Sequence, residues 1–195
     1  DYRGLAGGSR LLLGLEHALL RQEFLQHRPA VARAPRPRIE RLLVVFGGAD
    51  PGRAMERIVE ALPGLLKIAA RVTLVIGPAN PRRDALACEA RSLGASALVD
   101  PSDLPALMVE ADMAITSGST TCLELACLGI PALILVTAEN QRSLASALCR
   151  AGAGLLLGEH RDVAPERIVA AAAELGQDPA QRARMGDAGR KLIDG

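Results

Sequence analysis

The run TSGSTTCLELACLG, Thr116 to Gly129, carries the densest chemistry in the chain. Ser117, Gly118, Ser119, Thr120 and Thr121 put hydroxyls and an open backbone at the start of a predicted helix, where free N–H groups and the helix dipole favour an anion such as phosphate. Ser119 could also serve only as an N-cap. Glu124 is the sole charge of that helix, and its i, i+4 spacing from Thr120 sets both on one face. A carboxylate among so many apolar side chains needs a partner. Two candidates answer: a ribose, whose adjacent hydroxyls can both donate to one carboxylate, or an arginine from another element.

Two more loops could bind. In FGGADPG, Gly47 and Gly48 remove side chains where a strand turns toward a helix, which either admits a phosphate or sugar to backbone N–H groups or simply makes a tight turn. In VTAENQ, Thr137, Glu139, Asn140 and Gln141 offer groups suited to sugar hydroxyls, or a cap and a solvated face. Gly152, Gly154 and Gly158 imitate a dinucleotide fingerprint, but Leu157 stands in the third glycine's place and the segment precedes a strand. No G-x-x-x-x-G-K-[ST] occurs, and His17, His27 and His160 read as surface or interdomain residues away from the strand-end loops.

Such loops need a frame. Apolar runs at Leu42–Phe46, Val72–Ile76, Ala97–Val99, Met113–Thr116, Ala132–Val136 and Gly154–Leu157 alternate with helical patterns. The helices are predicted at Gly52–Leu66, Arg82–Leu93, Leu104–Ala111, Thr120–Leu128, Asn140–Ala151, Pro165–Leu175 and Pro179–Ile193. Asp50-Pro51, Asp103, Ser119 and Asp178-Pro179 supply capping or first-turn residues. The alternation predicts an α/β fold, a Rossmann-like parallel sheet of about six strands with helices on both faces, whose ligand lies beyond the carboxyl ends of the strands. Residues 1–40 read as an arm and a Pro- and Arg-rich connector, 41–195 as the binding domain, and the Gly-rich opening from Asp1 as the interior of a longer chain. The arm is expected to pack against a further domain.

Composition excludes several classes. The 195 residues are 49% hydrophobic with a net charge of +1, which signals neither a nucleic-acid groove nor an anionic membrane surface. Tyr2, Phe24 and Phe46 are the only aromatics, too few for base-stacking platforms. No apolar run approaches the roughly 20 residues of a membrane span, and Leu11–Leu13 is too short for a signal peptide, so a cytoplasmic protein is the default. Cys88, Cys122, Cys127 and Cys149 lack C-x-x-C spacing and read as small core residues, with no metal site.

LLRQEF at Leu19–Phe24, FGGADP, SGSTTCLELACLGIPALIL and TAENQ together resemble the second domain of the GT-B superfamily. More narrowly they resemble the UDP-sugar hydrolase of pseudaminic acid biosynthesis and its spore-coat polysaccharide relatives. The lipid II-forming glycosyltransferase shows a looser version. The resemblance implies that Gly118, Ser119 and Thr120 hold a diphosphate, that Glu124 takes the ribose hydroxyls, and that backbone groups at Leu98–Asp100, around Val99, read uracil. It sets Asn140 and Gln141 near the sugar and Gly47 and Gly48 along the cleft. The catalytic histidine of that family belongs to the first domain, so no catalytic residue is assigned to this chain. No cofactor or metal is implied; the implied partners are UDP or a UDP-sugar and the N-terminal domain. The expected reaction is attack of water on the anomeric carbon with UDP leaving. A donor-binding domain of a GT-B glycosyltransferase and a non-catalytic scaffold module are the alternatives.

Overall fold

A computed structural model of the chain describes residues 7, 11–12, 14–31, 33–50 and 52–194. Tyr2, Leu13, Pro51 and most of the Gly-rich opening lie outside them. The apolar runs form one six-stranded sheet: β1 (Arg41–Val45), β2 (Arg71–Ile76), β3 (Ser96–Val99), β4 (Met113–Ser117), β5 (Ala132–Val136) and β6 (Leu155–Glu159). The order is β3-β2-β1-β4-β5-β6 and every pairing is parallel. From β1 the chain steps outward to β3, then returns to the other side of β1 with β4. The loops after β1 and β4 therefore leave in opposite directions, and a crevice opens between them.

Helices α2 (Ala54–Leu65), α3 (Arg83–Ser92) and α7 (Pro165–Gln177) bury their apolar faces on one side of the sheet. Helices α1 (Gln22–His27), α4 (Leu104–Glu110), α5 (Thr120–Leu128) and α6 (Arg142–Arg150) cover the other, and α8 (Pro179–Leu192) closes against α5. Sandwiched between strands and helices, α5 is buried from Thr121 to Leu128, which explains an apolar sequence on all its faces.

The four inner strands are covered as expected, but β3 and β6 form the edges and are partly exposed. Strand β6 begins and ends later than the predicted Gly154–Leu157. A register irregularity opposite Ile134 and Leu135, with Gly158 at φ 126, carries it to Glu159. The helix predicted from Asn140 splits into a 3-10 turn at Glu139–Gln141 followed by α6. Cys122 and Cys127 are core residues and Cys149 is half-buried, whereas Cys88 is exposed on the outer face of α3, against expectation.

The arm contains a short helix that its composition did not announce. Phe24 of α1 is fully buried in the cluster formed with α4 and α5. Guanidinium groups tie the connector down. Arg190 donates to the Pro29 carbonyl at 2.6 Å, and Arg28 returns bonds to the carbonyls of Arg190 and Asp194, both at 2.6 Å. Buried Arg182 donates to the carbonyls of Leu175, Gly176 and Arg36. Among the described residues no helix is long and apolar enough to cross a membrane.

Candidate functional site

The crevice between β1 and β4 is a cavity of about 380 Å³, walled by Arg21, Gly47, Gly48, Asp100, Thr120 and Glu124 among others. A second cavity, about 260 Å³, lies under the connector at the amino ends of the strands, next to Asp112 and Pro131. It contains none of the residues singled out from the sequence. Position at the switch point and polar lining both favour the first.

Two helices start at this switch point, and only one offers itself to an anion. The carboxylate of Asp50 accepts from Ala54 N and Met55 N, both at 2.9 Å, so the start of α2 is already neutralised from within. Burial pushes the Asp50 carboxyl above its ordinary range, against these bonds. At α5, Ser119 has extended N-cap backbone but caps nothing: its hydroxyl lies 2.9 Å from Ser117 Oγ. The first-turn N–H groups of α5 thus keep no side-chain acceptor, and Thr120 among them is exposed. Cys122 N and its thiol both reach Ser119 O, at 3.0 and 2.8 Å, and burial pushes that thiol up to about 12.

Glu124 is 7% exposed and one turn below Thr120 on the cavity wall. Of the two candidate partners, the structure holds the arginine. Arg21 of the arm donates to Oε1 from Nε at 3.4 Å and from Nη2 at 3.3 Å. No described residue donates to Oε2. Burial raises the carboxyl above its ordinary range, and Arg21 pulls it back only in part.

The glycine loop is held from below. A Cβ on Gly77, at the end of β2, would fall on the carbonyl groups of Gly47 and Gly48, and the Gly48 oxygen accepts from Ala79 N at 3.1 Å. Thr116 Oγ1 donates to Val45 O at 2.8 Å and joins the two strand ends that flank the crevice. At the end of β3, Val99 is half-buried against the core, and Asp100 turns into the cavity wall with a left-handed φ of 47, its N–H on Ile76 O at 3.2 Å.

The structure thus brings Gly47, Gly48, Thr120 and Glu124 to one cavity, with Val99 beside it. Gly118, Ser119, Asn140 and Gln141 lie outside its lining. Gly118 presses on the next loop, since a Cβ there would lie 3.0 Å from Gln141 O. Gln141 folds back, its Oε1 accepting from Thr137 N at 3.0 Å and Thr137 Oγ1 at 3.1 Å, while Asn140 stands exposed. Two residues of the cavity, Arg21 and Gly77, and His160 outside it escape sequence reasoning. Arg21 sat in the LLRQEF run without a role, Gly77 was one glycine among 19, and His160 was set aside. His160 in fact follows directly on β6 at the carboxyl edge of the sheet and is 5% exposed, a buried residue and not a surface one.

Residues 42–193 match the family model described as glycosyltransferase family 28 C-terminal domain. The spore coat polysaccharide biosynthesis protein SpsG of Bacillus subtilis is 26% identical over 191 residues, 97% of this chain and 56% of its own length. The UDP-N-acetylglucosamine--N-acetylmuramyl-(pentapeptide) pyrophosphoryl-undecaprenol N-acetylglucosamine transferase of Pelobacter propionicus is 33% identical over 181 residues, 84% of this chain and 47% of its own. Among solved structures, WaaG, a glycosyltransferase involved in lipopolysaccharide biosynthesis, superposes with a TM-score of 0.61 at 20% identity, over 82% of this chain and 44% of WaaG. This chain spans about half the length of the curated relatives it matches. Neither relative's name is that of a hydrolase or mentions pseudaminic acid.

Proposed function

The chain belongs to the glycosyltransferase family 28 C-terminal domain family, and from that premise we propose that it binds the nucleotide of a UDP-sugar donor as the C-terminal half of a GT-B glycosyltransferase. The observation that carries the reading is Glu124, a buried carboxylate on the wall of an open cavity, with Oε2 unused and an uncapped helix start one turn away. In this reading Oε2, and Oε1 beside Arg21, accept the two ribose hydroxyls. The diphosphate lies against the N–H groups of α5 at Thr120, with Ser119 alongside. Uracil lies along the backbone of Val99 and Asp100. The sugar leaves the cavity between the glycine loop of Gly47 and Gly48 and the loop of Thr137 to Gln141.

The transferase name of the Pelobacter relative supports a hydroxyl acceptor over the water expected from the hydrolase resemblance. As the donor sugar departs, negative charge grows on the diphosphate, and the fixed N–H groups of α5 stabilise it without reorganising. The acceptor and any base that activates it are assigned to another part of the enzyme. Calorimetric titration with UDP, uridine and ADP tests the proposal. UDP binding in clear preference to both others is the expected result; equal binding of ADP and UDP removes the base reading, and no binding of UDP removes the proposal.

A further inference from the structure

The ends of β5 and β6 and the loop that leads from β1 into α2, far apart in sequence, meet at His160. Its backbone N–H and its Nδ1 both reach the carbonyl of Val136 at the end of β5, at 3.0 and 3.1 Å. A carbonyl only accepts, so Nδ1 carries the proton, and Nε2 is left as the free edge of the ring. That edge faces the loop between β1 and α2. A Cβ on Gly52 would lie 2.9 Å from Cε1, 3.0 Å from Nε2 and 2.9 Å from the carbonyl oxygen of Thr137. The glycine loop therefore rests on the imidazole and on the β5 loop at one point. Among the described residues Nε2 has no protein hydrogen-bond partner and is not sealed from solvent, so on this edge the ring acts by packing against the Gly52 backbone.

The loop it supports needs support. Asp50 and Arg53 both hold left-handed backbone, φ 46 and φ 58, a conformation that is strained at a non-glycine residue and persists only when surroundings impose it. The Asp50 carboxylate imposes it from the helix side through Ala54 N and Met55 N. From the sheet side the imidazole and the Thr137 carbonyl pack against Gly52, which lies between the two.

We propose that His160 is a positioning residue that fixes the gap between the glycine loop and the Thr137–Gln141 loop, and through it the fit of the donor's sugar but not of its nucleotide. The inference rests on the nucleotide-sugar reading above, in which these loops flank the sugar. His160 does not line the cavity of Glu124 and Thr120, so the nucleotide contacts do not pass through it.

Titrating the full chain with UDP and with UDP-N-acetylglucosamine tests this in native protein, His160→Asn, His160→Leu and Gly52→Ala. His160→Asn keeps a donor for Val136 O while removing the edge against Gly52. The expected result is a UDP affinity within about twofold of native and a UDP-N-acetylglucosamine affinity lowered about tenfold or more, the scale on which small misplacements act. His160→Asn combined with Gly52→Ala is expected to be no worse than the poorer single variant, because both act at one contact. Equal weakening toward both ligands, or additive losses, overturns the proposal. Failure of native protein to bind UDP overturns the nucleotide reading, and the sugar-fit claim with it. Amide hydrogen exchange without ligand separates the two: faster exchange in both loops together, with α5 unchanged, supports the loop-spacing role even then. Exchange altered only next to residue 160 overturns it.

Discussion

Arg21 meets Glu124 with two nitrogens, and both land on the same oxygen, Oε1, at 3.4 and 3.3 Å. The guanidinium also lies 4.7 Å over the Phe24 ring and 2.7 Å from Glu23. The Arg21 side chain is 59% exposed against 9% for Glu124, so the pair contributes little stability of its own, about 1 kcal/mol at most. Its effect is on protonation. Burial raises the Glu124 carboxyl and Arg21 lowers it, so Arg21→Met is expected to raise it further. UDP affinity then falls at a higher pH in Arg21→Met than in native protein as the solution is acidified, because the protonated carboxyl loses an acceptor. Ligand-free stability moves the opposite way. A carboxyl whose folded value is raised contributes stability below its unfolded value and loses it as pH rises through the folded one. Titrations and melts from below the ordinary carboxylate range up to neutral pH, with Glu124→Gln as reference, check both signs.

Gly77 has no room for a side chain beneath Gly47 and Gly48. Gly77→Ala is expected to cost about 1–3 kcal/mol in thermal unfolding, the range for overpacking, and to weaken UDP binding because the clash falls on Gly47 and Gly48, which line the nucleotide cavity as Gly52 does not. Unchanged melting and binding would show that the crossing of β2 under the loop does not hold the site.

Helix capping separates positions that looked alike in sequence. Asp103 Oδ1 accepts from Ala106 N at 2.9 Å and Asp178 Oδ1 from Gln181 N at 2.7 Å, whereas the Ser119 hydroxyl bonds Ser117. Asp103→Ala and Asp178→Ala are each expected to lose about 1 kcal/mol in denaturant unfolding. Ser119→Ala is expected to stay within about 0.5 kcal/mol, leaving its α5 N–H groups to a ligand.

The cysteines should differ in reactivity. With Cys122 buried and its thiol pushed up to about 12, alkylation at pH 8 is expected at exposed Cys88 long before Cys122. Peptide mass mapping over time reads the order directly.

Most of the frame was legible in the chain because hydrophobic alternation and strand-end glycines are local signals. The α5 helix, Thr120–Leu128, and strand β5, Ala132–Val136, fall on their predicted bounds. Edges were not legible, since β6 reaches Glu159 only by taking an extra residue, Leu157, opposite Ile134 and Leu135 of β5. The sequence pattern ends this strand at Leu157 and leaves His160 beyond it, whereas the shift brings His160 to the strand end. Glu124 stood out because a lone charge in an apolar helix needs a partner, but the partner's identity depends on how the arm folds back. Phe24, buried by α4 and α5, fixes that path, and a single aromatic in a polar segment does not reveal it. Gln141 could not be oriented from sequence either, because its bonds to Thr137 arise from a turn spanning four residues.

The central claim is that Glu124 accepts the ribose hydroxyls, and comparing UDP with 2′,3′-dideoxy-UDP in native protein and Glu124→Gln tests it most directly. Native protein is expected to prefer UDP by about ten- to a hundredfold, as bonds to a charged acceptor are worth about 1.5–3 kcal/mol, and Glu124→Gln is expected to lose most of that preference. Native protein that binds the two equally well, or a Glu124→Gln variant that keeps the full preference, would contradict the account.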